Sequence, residues 1–173
     1  MEITNQMHEA AMSAIKADTL NDRSLNGWLS QYVGQIGEQA AMRLLDENGI
    51  KYSFHGDKCY EYDIESYGIK FDVKSKARSG YLSTTFEHSI PQYSESMVCD
   101  CYIFANVLIS DNVAKQADLM GYCGHEWLWK TAFKTNKGDV RENGMVSKAD
   151  NAVITYDQLL PIDLMITRLK ARE

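Results

Sequence analysis

Two short stretches, Tyr62-Asp63-Ile64 and Phe71-Asp72-Val73-Lys74, carry the strongest fold signal in this chain. Polar and apolar residues alternate in the second stretch, and a glycine lies between the two, so together they predict a β-hairpin. Asp72 and Lys74 are two positions apart and therefore project from one face of their strand. Two acids can gather a hard divalent cation, and a lysine beside them can hold a water or a phosphate oxygen. This hairpin is the first candidate for a reaction site.

The chain has 173 residues, which suits one domain with its own core, and we treat residues 1–173 as a single unit. Hydrophobic residues make up 45% and charged residues 24%, the balance of an ordinary soluble globular protein. No apolar run approaches the roughly 20 residues that span a bilayer. Residues 1–6 lack the basic-then-apolar layout of a signal peptide. We therefore expect a cytoplasmic location and no membrane partner.

The formal charge of −6 argues mildly against a protein that grips nucleic acid by its phosphates, since such proteins usually carry a basic surface. The charge is uneven, however, because residues 1–69 are acidic and basic residues surround and follow the hairpin. A locally basic groove on an acidic body is one interpretation, and solvated surface lysines are the other. The basic residues in question are Lys70, Lys74, Lys76, Arg78, Lys130, Lys134, Lys137, Arg141 and Lys148.

The chain contains four cysteines: Cys59, Cys99, Cys101 and Cys123. In a cytosolic chain they are expected to be free thiols and not a disulfide framework. The last three, together with His125, have a spacing from which a zinc site can be imagined. Cys101, however, opens the apolar run 102–109, where a small buried cysteine fits without any metal. The sequence favours the buried-thiol interpretation.

Apolar residues at helical spacing predict a first helix over residues 5–17 and a longer, dominant helix over Leu29–Glu47. A short helix is expected at Trp127–Lys134 and a final one at Ile162–Lys170. The nearly all-apolar run 102–109 is typical of a strand buried on both faces. One dominant helix on a central mixed sheet predicts an α/β fold. The expected strands are 51–54, 60–64, 69–75, 81–89, 102–109, 119–123 and 152–156.

The order of these elements resembles the PD-(D/E)XK phosphodiesterase superfamily, the restriction-endonuclease-like nucleases. A helix bearing Glu38 in Ile36-Gly37-Glu38-Gln39-Ala40 comes first, the hairpin then supplies Asp63 and Asp72-Val73-Lys74, and a buried strand follows. The resemblance covers about residues 29–109, a little under half of the chain. It implies a restriction-endonuclease-like core of αβββαβ type, in which helices flank a central mixed sheet. The C-terminal part resembles small phage or bacterial members of the group.

The resemblance also implies a role for each matched position. Asp63 and Asp72 would bind one Mg²⁺ or Mn²⁺ ion, and the backbone carbonyl of Val73 would add a ligand. Lys74 would orient the attacking water or help to deprotonate it. Glu38 would bind the same ion directly or through a water. The chain departs from the motif in two places: tyrosine precedes Asp63 where the family has proline, and Asp72 replaces the commoner glutamate.

Further polar residues near the motif have both a supporting and a plain structural interpretation. Lys76 returns to the face of Asp72 and Lys74, where it would touch a phosphate, whereas Ser75 points to the opposite face and is taken as structural. The tryptophans are weighed as base-stacking groups against core packing. The remaining residues weighed in this way are His88, Gln92, Asp100, Trp127 and Trp129.

The function that the resemblance implies is hydrolysis of DNA phosphodiester bonds by a magnesium-dependent nuclease. An RNA-directed nuclease is a second interpretation, since no module for reading the 2′-hydroxyl is recognisable. A third is a module that keeps the fold and binds nucleic acid or protein without turnover, which the acidic net charge favours. Cutting both strands of a duplex is naturally done by two-fold pairs, which favours a homodimer.

Overall fold

The computed structural model describes residues 1–17, 27–56, 61–141, 144 and 146–173, which form an α/β fold with four α-helices and a mixed five-stranded sheet. In these ranges no helix has the length and apolar content needed to cross a bilayer. The helices are α1 (Asn5–Ala17), α2 (Trp28–Glu47), α3 (His125–Thr131) and α4 (Ile162–Lys170). The strands are β1 (Ser53–Phe54), β2 (Ile64–Ser66), β3 (Ile69–Arg78), β4 (Glu87–Pro91), β5 (Cys101–Ser110), β6 (Val113–Gly124), β7 (Phe133–Thr135) and β8 (Asn151–Thr155).

The main sheet has the strand order β1-β2-β3-β5-β6, and the prediction of an α/β fold with a mixed sheet is confirmed. Strands β3 and β5 are parallel, and the other neighbours are antiparallel. A second, antiparallel sheet has the order β4-β8-β7. In the parallel pair Asp72 lies opposite Tyr102, and Lys74 lies opposite Phe104.

The β2–β3 hairpin has a two-residue loop, Tyr67-Gly68, in which both residues have positive φ values of 48° and 76°. This backbone matches the twist of the flanking strands, and glycine supplies one of the two positions without steric cost. Strand β2 begins at Ile64, later than the expected start at residue 60, and residues 57–60 lie outside the described ranges. Asp63 therefore stands directly before the strand.

The two faces of the main sheet are covered by different layers. On the face that we call the helix face, α2 and α4 pack against Phe71, Val73 and Ile103 in one buried cluster. On the opposite face, which we call the site face, the second sheet and α3 cover Tyr102 and Phe104. Side chains alternate along a strand, so Asp72 and Lys74 project from the site face of β3.

Several further local predictions differ from the structure. The strand expected at 81–89 is β4, Glu87–Pro91, and the helix expected at Trp127–Lys134 ends at Thr131. Ala132 is extended there, and the next three residues pair with β8 as β7, because sheet pairing outweighs local helix preference. Between β3 and β5 the chain forms β4 and a 3₁₀ turn, Gln92–Ser96, where the αβββαβ pattern has an α-helix.

We predict that Gly37→Ala destabilises the protein by about 1–3 kcal/mol, because α2 and the sheet leave no room for a side chain there. A Cβ on Gly37 would lie 1.9 Å from Ser75 Oγ, 3.0 Å from Ser75 Cβ and 3.1 Å from Ala105 Cβ, so rotation of the Ser75 hydroxyl would not relieve the crowding. The matched control is Gly34→Ala in the same helix, where no atom lies within 4 Å. It should gain up to about 1 kcal/mol from helix propensity. Equal urea midpoints for the two variants would contradict this packing.

Candidate active site

The site begins where β2 and β3 stop pairing. The N–H of Asp63 donates to the Phe71 carbonyl at 2.9 Å, and the N–H of Val73 donates to Oδ2 of Asp63 at 2.7 Å. A side-chain carboxylate thus takes the place of a backbone carbonyl as the acceptor for this part of β3. The hydrogen bond holds the Asp63 carboxylate against the edge of the strand that carries the second acid.

Asp72 and Lys74 form an ion pair on the site face of β3. Asp72 is 5% exposed, and the Lys74 ammonium lies 2.7 Å from its Oδ2 atom. Oδ2 is itself a buried atom, and its interaction with the ammonium raises the pKa of Lys74. The ammonium also stands over the ring of Tyr102, 5.8 Å from its centroid, where the ring face attracts a cation.

The two carboxylates are close enough to disturb each other's ionisation. Burial raises the pKa of Asp63, and the charge of Asp72 raises it further. The Val73 N–H and Lys74 oppose this change, and the resulting pKa of Asp63 is about 7. Like charges held together in a buried site disfavour double ionisation. The metal-free pair therefore retains a proton on Asp63 below about pH 7.

The pKa of Lys74 is raised as well, although burial acts on it in the opposite direction. Burial alone lowers the pKa of Lys74, but the charges of Asp72 and Asp63 outweigh burial and hold the pKa above its ordinary value. In the protein without a bound cation Lys74 is therefore an ammonium group that donates, and it has no free lone pair with which to accept a proton.

The acid pair has the chemistry of a divalent-cation site. A hard cation takes oxygen ligands and would relieve the repulsion between Asp63 and Asp72. In a strand the N–H and C=O of one residue face the same neighbour, so the Val73 carbonyl is expected to face Asp63 as well. In the described parts of the chain no three His, Cys, Asp or Glu side chains gather to hold a metal. Water would have to complete the coordination of a Mg²⁺ ion, which ordinarily keeps several waters.

Glu38 lies in the helix layer. It follows Gly37, the residue at which α2 comes closest to Ser75 on the helix face of β3. The structure thus brings Asp63, Asp72 and Lys74 together on the site face, and it places Glu38 on a helix that packs on the other face. The role of Glu38 stays a prediction, and its path to the acid pair would lead around the edge of β3 that β2 leaves open beyond Phe71.

Lys76 and His88 lie one step farther along the site face. The Lys76 ammonium donates to the carbonyl of Glu87 at 2.5 Å, and burial lowers its pKa. His88 is buried, with Nδ1 3.4 Å from the Tyr156 hydroxyl. Burial, followed by the charges of Lys76 and Lys74, lowers the pKa of His88 to about 3. The His88 ring is therefore neutral at physiological pH and serves as packing.

Four other residues were considered for a supporting role in the sequence analysis; two of them have structural contacts and two are exposed. Asp100 accepts a hydrogen bond from the Lys70 N–H at 2.8 Å and returns its own N–H to the Lys70 carbonyl at 2.9 Å, which ties the start of β5 to β3. Trp129 is buried, in agreement with core packing. Gln92 and Trp127 are exposed, the latter at 41%.

The cysteines do not form a metal centre in the described residues. The expected free thiols are found for Cys99, Cys101 and Cys123, and Cys59 lies outside the described ranges. Cys101 packs against the helix-face cluster, whereas the other two belong to the cluster on the site face. Cys99 Sγ is 3.3 Å from Nδ1 of His125. Burial raises the pKa of both Cys99 and Cys123 to about 12, so in the metal-free protein both are protonated thiols.

The sequence analysis did not identify Tyr102, whose ring lies against the Lys74 ammonium. Its hydroxyl donates to the Ser94 carbonyl at 3.0 Å, receives the Trp129 Nε1–H at 3.1 Å and lies 2.9 Å from Nδ1 of His125. These contacts fix the ring over which Lys74 stands. The available signal was a tyrosine inside an otherwise apolar run, because a buried phenol needs a polar partner.

Comparison with models of protein families, with characterised proteins and with solved structures returned no match to this chain.

We predict that Asp63→Asn removes a pH dependence from the stability of the metal-free protein. Asp63 holds its proton up to about pH 7 when folded but only up to its ordinary pKa of 3.8 when unfolded. The folded state therefore binds more protons between these values, and its stability falls as pH rises through this window. At pH 8 Asp63→Asn should exceed the wild type by up to about 4 kcal/mol, which is the penalty that three pKa units represent.

Urea unfolding from pH 4 to pH 8 with a chelator present measures this effect. The exposed Glu126→Gln variant is the control and should keep the wild-type pH profile. A wild-type stability that rises between pH 4 and 7, unchanged in Asp63→Asn, would show that the Asp63 proton is not retained on folding.

Proposed function

We propose that this chain is a metal-dependent nuclease that hydrolyses phosphodiester bonds in DNA, with a restriction-endonuclease-like core. The observation that carries the proposal is the Asp63–Asp72–Lys74 arrangement, which we call the acid–lysine site. It joins two carboxylates that repel each other to a buried ammonium 2.7 Å from one of them. Asp63 also accepts the Val73 N–H, but the neutral amide oxygen of an asparagine could do that without the repulsion from Asp72, which raises the free energy of the folded protein.

Each residue of the acid–lysine site has its own role in the proposed reaction. Asp63, Asp72 and the Val73 carbonyl would hold a Mg²⁺ or Mn²⁺ ion, which supplies charge neutralisation at the scissile phosphate and lowers the pKa of the attacking water. Lys74, held as an ammonium, would donate to a phosphate oxygen and stabilise the charge that develops on it. Tyr102 and Asp72 keep that ammonium in place. Without a cation the charges of Asp72 and Asp63 raise the pKa of Lys74, whereas a bound divalent cation would act in the opposite direction; the proposal therefore includes both an electrostatic role and proton abstraction for Lys74.

The alternatives are an RNA-directed nuclease and a module that binds without turnover. The acidic net charge of the sequence, −6, favours the binding module. Against it stands the cost of keeping two carboxylates together, which a protein without a cation to bind does not need. A homodimer and a cytoplasmic location belong to the proposal as expectations drawn from the sequence.

The first functional prediction is metal-dependent cleavage that is lost in Asp72→Asn and Lys74→Ala. Purified protein is incubated with supercoiled DNA, linear duplex, single-stranded DNA and RNA, with and without Mg²⁺ or Mn²⁺. Cleavage should require the metal, and each variant should lower the rate on the order of 100-fold or more, as loss of an electrostatic contact to the reacting group does. The control is Glu126→Gln, which breaks an exposed acid–lysine pair with Lys130 and should cleave normally.

The outcome also separates the alternatives. Preferential cleavage of RNA would replace the DNA assignment, and full activity in both site variants would refute the acid–lysine site. If nothing is cleaved, thermal unfolding with added Mn²⁺ decides the remaining question. A metal site gives about 2.7 kcal/mol of stabilisation at 100 times its dissociation constant, and Asp72→Asn should abolish that gain. No gain in the wild type would favour the binding module.

The second functional prediction concerns Glu38→Gln. Because Glu38 lies in the helix layer, its contribution to a metal ion is expected to pass through a bound water and not through direct coordination. Glu38→Gln should therefore raise the Mg²⁺ concentration needed for half-maximal cleavage while keeping a measurable rate at saturating metal. Asp72→Asn should not recover at any Mg²⁺ concentration. Identical metal titrations for Glu38→Gln and the wild type would remove Glu38 from the site.

A further inference from the structure

The first residue of α3, His125, lies between the Tyr102 hydroxyl and the 3₁₀ turn Gln92–Ser96. Its Nδ1 atom is 2.9 Å from the Tyr102 hydroxyl oxygen, and its Nε2 atom is 3.1 Å from the Glu95 carbonyl oxygen. The imidazole also stacks on the Tyr102 ring, with centroids 5.4 Å apart and an interplanar angle of 27°. Tyr102 donates its hydroxyl hydrogen to the Ser94 carbonyl at 3.0 Å. His125 and Tyr102 therefore hold two neighbouring carbonyls of one turn.

The hydrogen bonds of this cluster require a definite number of protons. A carbonyl oxygen only accepts, so the contact with Glu95 requires a hydrogen on Nε2 of His125. The Tyr102 hydroxyl has one hydrogen, which goes to Ser94, so its contact with Nδ1 requires a second hydrogen on the imidazole. The Tyr102 oxygen has two lone pairs and can accept that hydrogen together with the Trp129 Nε1–H. All of these hydrogen bonds form at once only when His125 is an imidazolium.

A neutral imidazole with its hydrogen on Nε2 would have to give up one of these contacts. If Nδ1 accepted from the Tyr102 hydroxyl, the hydrogen bond to Ser94 would be lost. If Nδ1 accepted instead from the Cys99 thiol, 3.3 Å away, Nδ1 and the hydroxyl oxygen would stand 2.9 Å apart with no hydrogen between them. Histidine is the side chain that ordinarily changes its charge near neutral pH. Loss of one proton from His125 therefore loosens the hold on Tyr102 or on the turn.

Other ionisable groups near His125 come from three parts of the chain. The turn contributes Glu95, whose side chain is exposed, and the segment before β5 contributes the Cys99 thiol, which is protonated. On α3 the neighbouring Glu126 is exposed and pairs with Lys130. Neither acid is buried against the imidazole, so hydrogen bonds and not an ion pair favour its charge.

The far side of the cluster is the acid–lysine site. The Lys74 ammonium lies 5.8 Å from the centroid of the Tyr102 ring on which His125 stacks, and Asp72 pairs with that ammonium. We propose that His125 is a positioning residue for Lys74: as an imidazolium it fixes the Tyr102 ring against the turn, and the ring in turn keeps the ammonium in place. The effect on a reaction rests on the proposed function, whereas the coupling of His125 to Lys74 does not.

Nuclear magnetic resonance of the metal-free protein tests this coupling. The starting protein is Asp63→Asn with a chelator present, because the Asp63 carboxyl itself titrates at about pH 7. The ring signals of His125 and the side-chain signals of Lys74 are followed from about pH 5 to 8, the range in which histidines titrate. The Lys74 signal should shift along the same curve as the His125 ring, with one common midpoint. A Lys74 signal that does not change while His125 titrates would overturn the inference.

Two further substitutions in the Asp63→Asn protein separate positioning from simple repulsion between charges. Tyr102→Phe keeps the ring but removes the hydroxyl, so Lys74 should no longer follow His125. A response that survives would show that the charge of His125 acts through space, and it would overturn the inference. Cys99→Ala should leave the response unchanged. A response lost in Cys99→Ala would show that a neutral His125 accepts from the thiol, which would also overturn it.

Two replacements of His125 itself complete the test. Asparagine does not titrate, and its amide nitrogen can take the place of Nδ1 and donate to Tyr102. His125→Asn should therefore keep the Lys74 signal near its low-pH position at every pH, whereas His125→Leu should keep it near its high-pH position. Identical Lys74 signals in these two variants would contradict the positioning role. Far-ultraviolet circular dichroism of each variant checks that it is folded.

The consequence for catalysis is measured separately in the protein that keeps Asp63. There His125→Leu should lower kcat about 10- to 100-fold, as loss of a partner that orients a metal-site residue does, and His125→Asn should restore most of the rate. A Lys74 signal that follows His125 in a protein that cleaves no substrate would refute only the proposed function. Metal-dependent cleavage by a protein whose Lys74 signal is independent of His125 would refute only this inference.

Discussion

The end of the β2–β3 ladder is the constraint on which the site depends. Among the described residues no strand pairs with the Val73 N–H beyond Phe71, and an unsatisfied buried donor would cost about 1–3 kcal/mol. The Asp63 carboxylate accepts that hydrogen bond at 2.7 Å, and in doing so it is held beside Asp72. Backbone satisfaction and the electrostatic conflict of the two acids are therefore consequences of one contact. The raised pKa of Asp63 reflects the cost of that arrangement.

Strand β3 can carry this site because one of its faces is apolar and packed in the core, while the other face carries the charged side chains. Phe71 and Val73 face α2 and α4 in an apolar cluster, whereas Asp72 and Lys74 face the opposite layer. On the same face of the neighbouring strand β5, Tyr102 presents an aromatic ring to the ammonium and keeps its hydroxyl in a network of hydrogen bonds. The apolar face anchors the strand, so the charged face does not have to contribute to stability.

Local signals in the sequence predicted most of the main sheet and its helices. The alternation around Asp72 located the hairpin, the apolar run 102–109 located β5, and apolar residues at helical spacing located α1 and α2, because each signal belongs to a continuous segment. The second sheet was only partly predictable, since β7 has three residues and pairs with β8 from a distant part of the chain. Propensity over so short a segment gives way to long-range pairing, which is why the helix expected at Trp127–Lys134 ends early.

Within the site the sequence could place Asp63, Asp72 and Lys74 on one hairpin, because strand periodicity fixes which side chains share a face. It could not place Glu38, because helix periodicity gives the buried stripe of α2 but not the face of the sheet that receives it. Nor could the sequence show that the Tyr102 ring lies against Lys74. That contact depends on the register of the parallel β3–β5 pair, in which partners such as Asp72 and Tyr102 are thirty residues apart.

The charge count at the acid–lysine site bears on how an acidic protein would act on a polyanion. Without metal the charges of Asp72 and Lys74 cancel, and Asp63 adds up to one negative charge as the pH rises through about 7. One divalent cation bound to both ionised acids would make the local charge +1, which attracts a phosphate. Under the proposed function the sign of the site therefore depends on the metal, and the net charge of −6 on the whole chain is not an obstacle. At physiological ionic strength charges more than about 8 Å away are largely screened, so the local sum decides how a phosphate is received.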